Sequence, residues 1–128
     1  MSFLLDTHVL IWSMMDPHRL SRTASRAIRS KENELIISAV SLIEIAIKVQ
    51  SGKLQIPMSP SYMNQHFSEI GISSILDISP AHAYTMLTLP RLHGDPFDRL
   101  LVAQCVVENL RLISADRIFK KYPVNVLW

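Results

Sequence analysis

The stretch HGDPFDRLLVAQ, residues 93–104, sets two aspartates three positions apart at the entrance to an apolar helical run, with Pro96 between them. Read alone, it is a helix start. Asp95 suits the N-cap, Pro96 the first helical position and Asp98 the third, where an acid meets the positive end of the helix. Three more acids lie within or just beyond apolar runs: Asp6 after SFLL, Glu44 in SLIEIAIK, and Asp116 after RLISA. Each has an ordinary account. Glu44 with Ser41 makes an S-x-x-E capping box, and Asp6 and Asp116 can cap the turns that follow them. Gathered in one place, the same acids would do chemistry. Two carboxylates about 4 Å apart repel by roughly 4 kcal/mol at an effective dielectric near 20. Four together must take up protons or bind a cation. Hard oxygen donors with no cysteine or histidine ligand pattern suit Mg²⁺ or Mn²⁺.

Whether the acids gather depends on the elements that carry them. Apolar runs at 2–5, 34–38, 73–79, 111–115 and 124–128 read as strands. Between them the spacing predicts a helix from near Thr7 and another over 20–30 with Ser21 as its cap. A third is expected from Val40 or Leu42 to Gln50, a fourth over 61–71 ending at Gly71, and a fifth from Pro80 to Leu87. The helix of the opening stretch runs from Pro96 to about Asn109. Strands alternating with helices imply right-handed βαβ units and a mostly parallel sheet covered on both faces. Ligands of such sheets bind at the carboxyl ends of the strands. Asp6, Glu44 and Asp116 fall at that edge. Asp98 joins them only if the connection through 80–87 returns its helix start there, which the pattern leaves open. Residues 53–73 are the least legible part.

The bulk properties fit one domain spanning residues 1–128, with 48% hydrophobic residues and only three glycines. A net charge of +2 does not by itself imply nucleic acid. Arg19, Arg22, Arg26, Arg29 and Lys31 nevertheless cluster, and a solvated face is the default reading of such a cluster. The single cysteine, Cys105, lies among apolar neighbours and reads as a core residue in a reducing compartment. SFLL is cut short by Asp6, and the most apolar stretch, 35–49, contains Glu44, so neither a leader nor a membrane span is expected. A soluble, cytoplasmic protein follows. His8, His18, His66, His82 and His93 lack zinc-site spacing, and no phosphate-cradling or nucleophile-elbow glycine pattern is present.

Together LLDTHVLIW, SLIEIAIK, HGDPFDRLLVAQ and LISADRIF, in this order from Phe3 to Phe119, resemble the PIN-domain family. Within it the chain is most similar to the ribonuclease toxins of VapBC-type toxin–antitoxin pairs. The resemblance implies an α/β/α sandwich in which the helix after D-P-F-D starts at the acidic edge. Asp6, Glu44, Asp98 and Asp116 match the family's four acids. Asp95 belongs to the H-x-D-P-F-D variant of the motif, and Thr7 matches the small hydroxyl residue after the first acid. The implied activity is Mg²⁺- or Mn²⁺-assisted hydrolysis of RNA, with Asp6 and Asp98 as metal ligands. Glu44 is a further ligand or positions the water, and Asp116 is a second ligand or supports one. Arg99, Lys48 and Arg117, next to the acids in sequence, are candidates for holding phosphates. Expected partners are an RNA substrate, a VapB-like antitoxin and a second copy of the chain, with no membrane. Two other readings compete: a stand-alone PIN nuclease in RNA processing, and a receiver-like phosphoacceptor domain. The receiver needs a pair of acids after strand one and a lysine after strand five; LLDTH has one acid, and no lysine follows the last strand.

Overall fold

Five short apolar runs form one sheet in the computed structural model, which describes all 128 residues. In chain order the elements are β1 (Ser2–Leu5), α1 (Thr7–Met15), α2 (Arg22–Arg29), β2 (Glu34–Ser38), α3 (Ala39–Gln50), α4 (Pro60–Ile70), β3 (Ile72–Leu76), α5 (Pro80–Met86), α6 (Pro96–Glu108), β4 (Arg111–Ile113) and β5 (Val126–Leu127). Short 3₁₀ turns at Pro17–Arg19 and Arg117–Lys121 follow α1 and β4. The strands run in the order β3-β2-β1-β4-β5 and every pairing is parallel. The expected sandwich of a parallel sheet between helices is therefore the observed one.

Alternation along the strands builds the two cores, because successive side chains leave opposite faces of a sheet. Phe3, Leu5, Leu35, Ile37 and Ile113 point to one face, where they meet Val9 and Leu10 of α1, Ile28 of α2 and Phe67 of α4. Leu4, Ile36 and Leu112 point to the other, against Leu101, Val102 and Cys105 of α6 and Phe119 beyond β4. Cys105 is buried there as expected, and burial pushes its thiol up to about 12. Local chemistry sets the ends of the helices. Ser21 and Ser59 cap α2 and α4 with their hydroxyls. Gly71 ends α4 at φ 91°, a left-handed conformation that glycine adopts without a Cβ penalty.

Two local expectations are corrected. Helix α3 begins directly at the end of β2, where the Ser38 hydroxyl accepts the Val40 N–H at 3.0 Å. Ser41 is thus already inside the helix, and the Ser41–Glu44 capping box does not form. Strand β3 stops at Leu76 and not at residue 79, because Ser79 caps α5 and its own N–H donates to His82 Nδ1 at 2.9 Å. No helix is long and apolar enough to cross a membrane.

The strand order has a functional consequence. From β1 the sheet grows through β2 and β3 to one side and through β4 and β5 to the other. Connections on the two sides diverge at that reversal and leave a crevice beyond the carboxyl ends of the two central strands, where open α/β sheets bind ligands. Asp6 follows β1 immediately, and Ser114 to Asp116 follow β4.

Candidate active site

Asp6 stands at the N-cap of α1, yet its carboxylate does not cap the helix. Its backbone N–H donates to Ile113 O at 3.0 Å, extending the pairing of β1 with β4. The Ser114 hydroxyl donates to Asp6 Oδ2 at 2.8 Å and itself accepts the Asp116 N–H at 3.0 Å. Asp6 is only 3% exposed, and burial pushes its carboxyl up to about 6, helped by the charges of Glu44 and Asp116 and opposed by the Ser114 hydroxyl. A buried acid with two hydrogen-bond donors, the Ser114 hydroxyl and the Thr7 N–H, and two like-charged neighbours is short of positive charge.

Glu44 reaches this place through α3. The Thr7 hydroxyl donates to the Ser41 hydroxyl at 2.8 Å, pinning the start of α1 to α3 one turn before Glu44. Lys48, one turn later, pairs with Glu44 Oε2 at 3.4 Å. Glu44 Oε1 is buried and has no hydrogen-bond partner at all. A buried carboxylate oxygen left unpartnered is costly, and such groups mark missing ions or water.

Asp98 arrives from α6. Asp95 caps that helix, accepting the N–H groups of Phe97 at 2.9 Å and of Asp98 itself at 3.2 Å. Burial pushes the Asp98 carboxyl up to about 6; its bond to His93 lowers it, and the charges of Asp95 and Asp6 raise it. The connection through α5 therefore does return the start of α6 to the acidic edge, since Asp6 and Asp98 lie close enough to repel. Asp98 Oδ2 lies 3.1 Å from His93 Nε2, and His93 Nδ1 lies 2.7 Å from the Tyr122 hydroxyl. With Asp98 ionised, Nε2–H donates to it and Nδ1 accepts from Tyr122, which fixes both the tautomer and the carboxylate. Asp116 sits on the exposed side of the cluster, where its Oδ1 accepts the Ile118 N–H at 3.0 Å and caps the 3₁₀ turn.

The three cations differ in their commitments. Arg99 donates to Pro90 O at 2.7 Å, to Met86 O at 3.1 Å and to the Tyr122 hydroxyl at 3.4 Å. It anchors the loop that carries His93. Lys48 is held by Glu44, and Arg117 is exposed. We expect Arg99→Ala to lower stability by about 1–3 kcal/mol and to open residues 87–95 to limited proteolysis. Arg99→Lys should restore little, because a single ammonium cannot span the two carbonyls. Proteolysis of both variants at the wild-type rate would contradict this anchoring role.

Ser114, His93 and Tyr122 thus hold the acids from behind. His93 and Ser114 lie inside the quoted stretches HGDPFDRLLVAQ and LISADRIF and Tyr122 lies in none, while the 108 positions between Ser114 and Asp6 hide their pairing. As the side chains stand, no three of the His, Cys, Asp and Glu groups close on one point. Two other features do fit a hard divalent cation: an all-oxygen donor set and an unpartnered buried Glu44 oxygen. Beside Asp6 and Asp116 an open depression of about 310 Å³ is completed by His8, Trp12, Arg19 and Ala115. A larger concavity of about 490 Å³ lies at the opposite edge, near the starts of β2 and β3, and receives none of these four acids.

Comparison with known proteins agrees with this fold. The fold matches the crystal structure of VapBC2 from Rickettsia felis bound to a DNA fragment from their promoter, with a TM-score of 0.71, 18% identity, and 98% and 97% of the two chains covered. It likewise matches the DNA-bound VapBC from Salmonella typhimurium, with a TM-score of 0.70, 17% identity, and 98% and 96% coverage. In sequence, the chain is 34% identical to "Ribonuclease VapC22" of Mycobacterium tuberculosis (strain ATCC 25618 / H37Rv), over 96% of each. The family model described as the PIN domain matches residues 3–125. The chain belongs to the PIN-domain family.

Proposed function

We propose that this protein is a metal-dependent endoribonuclease and the toxin of a VapBC-type pair. The observation that carries the reading is that Asp6, at the reversal of strand order, is near enough to Glu44, Asp116 and Asp98 for their charges to act on one another, with one buried Glu44 oxygen unpartnered. Asp6 and Asp98 would hold Mg²⁺ or Mn²⁺, with Glu44 and Asp116 as further ligands or as partners of its water. When bound, such an ion lowers the pKa of a water and stabilises charge on the reacting phosphate. The protein's own part is to keep the acids ionised and fixed: Ser114 holds Asp6, and the Tyr122–His93 pair holds Asp98. Lys48, beside Glu44, offsets part of the repulsion that an RNA phosphate meets at an acidic edge. The VapBC complexes among the structural neighbours support an antitoxin of VapB type as partner; a homodimer and a cytoplasmic location complete the proposal.

Purified protein is expected to cut single-stranded RNA with Mg²⁺ or Mn²⁺ added and to stop when EDTA is present. Cleavage undiminished by EDTA, or no cleavage of any RNA with either metal, overturns the reading.

A further inference from the structure

The depression beside Asp6 and Asp116 has two unlike walls. One carries those two acids. On the other stand His8 and Trp12, one turn apart on α1, with ring centroids 6.0 Å apart and planes inclined by 45°. The 3₁₀ turn after α1 folds Arg19 back, so that its guanidinium lies 4.5 Å from the centre of the Trp12 ring. Trp128 supports Trp12 from its own side, at 5.9 Å and 56°. His8 and Arg19 are exposed, and neither takes part in any of the chain's ion pairs.

We propose that this wall seats an unstacked nucleobase of single-stranded RNA, from the nucleotide adjoining the phosphate that is cut. The inference rests on the ribonuclease reading and assigns that activity a subsite. Splayed bases of single strands stack on aromatic rings and on guanidinium planes alike, and every base offers such a face. A guanidinium already stacked on indole keeps its N–H edge free for a phosphate or a base acceptor. The opposite wall narrows the choice of ligand. Asp6 and Asp116 repel a free carboxylate or phosphate monoester, whereas a neutral planar base meets no such penalty. Joining the two walls, the depression sets the base directly beside the acids assigned to the phosphate. The larger concavity at the opposite edge has no aromatic ring among its lining residues and offers no such platform.

The test uses wild type, His8→Ala and Arg19→Ala with Mn²⁺ on a single-stranded oligoribonucleotide whose cut site has been mapped. Both replaced residues are exposed, and thermal midpoints will verify that the variants are folded. Abasic nucleotides are then placed in turn on either side of the cut. One position should lower wild-type kcat/KM about 10-fold, and the same replacement should lower that of Arg19→Ala and His8→Ala less than about twofold, because the stacking partner is already gone. A purely structural role for Arg19 cannot produce that coupling. Binding supplies a second readout. In an Asp98→Asn, Trp128→Phe protein Trp12 is the remaining tryptophan, and saturating RNA should quench its fluorescence, with less quenching when the abasic position faces it. Equal abasic losses in wild type and both variants at every position overturn the subsite and return the wall to packing or to a protein partner. A wild type that cuts no RNA with either metal overturns the ribonuclease reading itself, and the subsite with it.

Discussion

Asn in place of Asp98 is expected to lower RNA cleavage at least about 100-fold, the scale on which loss of one preorganised electrostatic group acts, and to leave the thermal midpoint of the metal-free protein unchanged or raised. The substitution keeps the shape of the side chain and an oxygen for the His93 N–H, so the Tyr122–His93 link to α6 survives. What disappears is the negative charge. Its favourable interaction with the helix N-terminus is worth about 0.3–1 kcal/mol, and relief from burial and from the charges of Asp95 and Asp6 works in the opposite direction by at least as much. The metal-free protein therefore loses no stability. Metal affinity, which needs the charge, falls about 10–100-fold or more. Single-turnover cleavage of an oligoribonucleotide and Mn²⁺ titration calorimetry, beside a melting curve, separate these effects. Equal cleavage by wild type and variant removes Asp98 from the centre.

Asp6→Asn is expected to do something a catalytic knock-out seldom does: stabilise the metal-free protein, by about 1–3 kcal/mol near pH 7.5. Burial raises the Asp6 carboxyl from 3.8 to about 6 in the folded chain. Between those two values the folded state holds more protons than the unfolded one, so stability falls as pH rises and the full penalty is present above about pH 6. Asn carries no such penalty and can still accept the Ser114 hydroxyl. Its advantage should shrink as pH falls through 6 toward 4, where the wild-type acid is protonated in the fold. Excess Mg²⁺ should cancel or reverse this advantage, since an ion bound only by the folded state adds about 2.7 kcal/mol at a hundredfold excess over its Kd, and Asp6→Asn loses this gain. Denaturant unfolding of both proteins at two pH values, with and without Mg²⁺, reads all four quantities. A variant less stable than wild type near pH 7.5 without metal, by a gap that does not change with pH, contradicts the account.

How much of this was legible in advance varies with how local the signal is. Strands β1 and β2 read directly, being apolar runs cut off by Asp6 and by the start of α3. Helix α6 reads equally well from Asp95 and Pro96 at its start and Asn109, at φ 54°, beyond its end. Where two serines compete for one cap, pattern alone cannot choose. Ser38 wins because α3 starts without a linker, and Ser41 is engaged by Thr7, 34 positions away. Neighbourhood in sequence misleads for Arg99. Adjacent residues on a helix point about 100° apart, so a cation beside Asp98 in the chain bonds the loop carbonyls and the Tyr122 hydroxyl and not the Asp98 carboxylate. Lys48, four residues after Glu44, meets it for the converse reason. The path of the chain through α5, the Ser114 and Tyr122 supports, and the Arg19–Trp12 stack depend on tertiary geometry, which no short window of sequence contains.

The bond from Ser114 to Asp6 spans nearly the whole chain, and it also sets a schedule. A ribosome making this protein exports Asp6 first, and by the time β2 and β3 have emerged, only Asp6 and Glu44 of the four acids are outside. Asp98 and the strand that leads to Ser114 and Asp116 come only after them. On the proposed reading, a chain halted before Asp98 lacks two of the four acids and presents no complete cutting centre to the RNA of the machine that is building it.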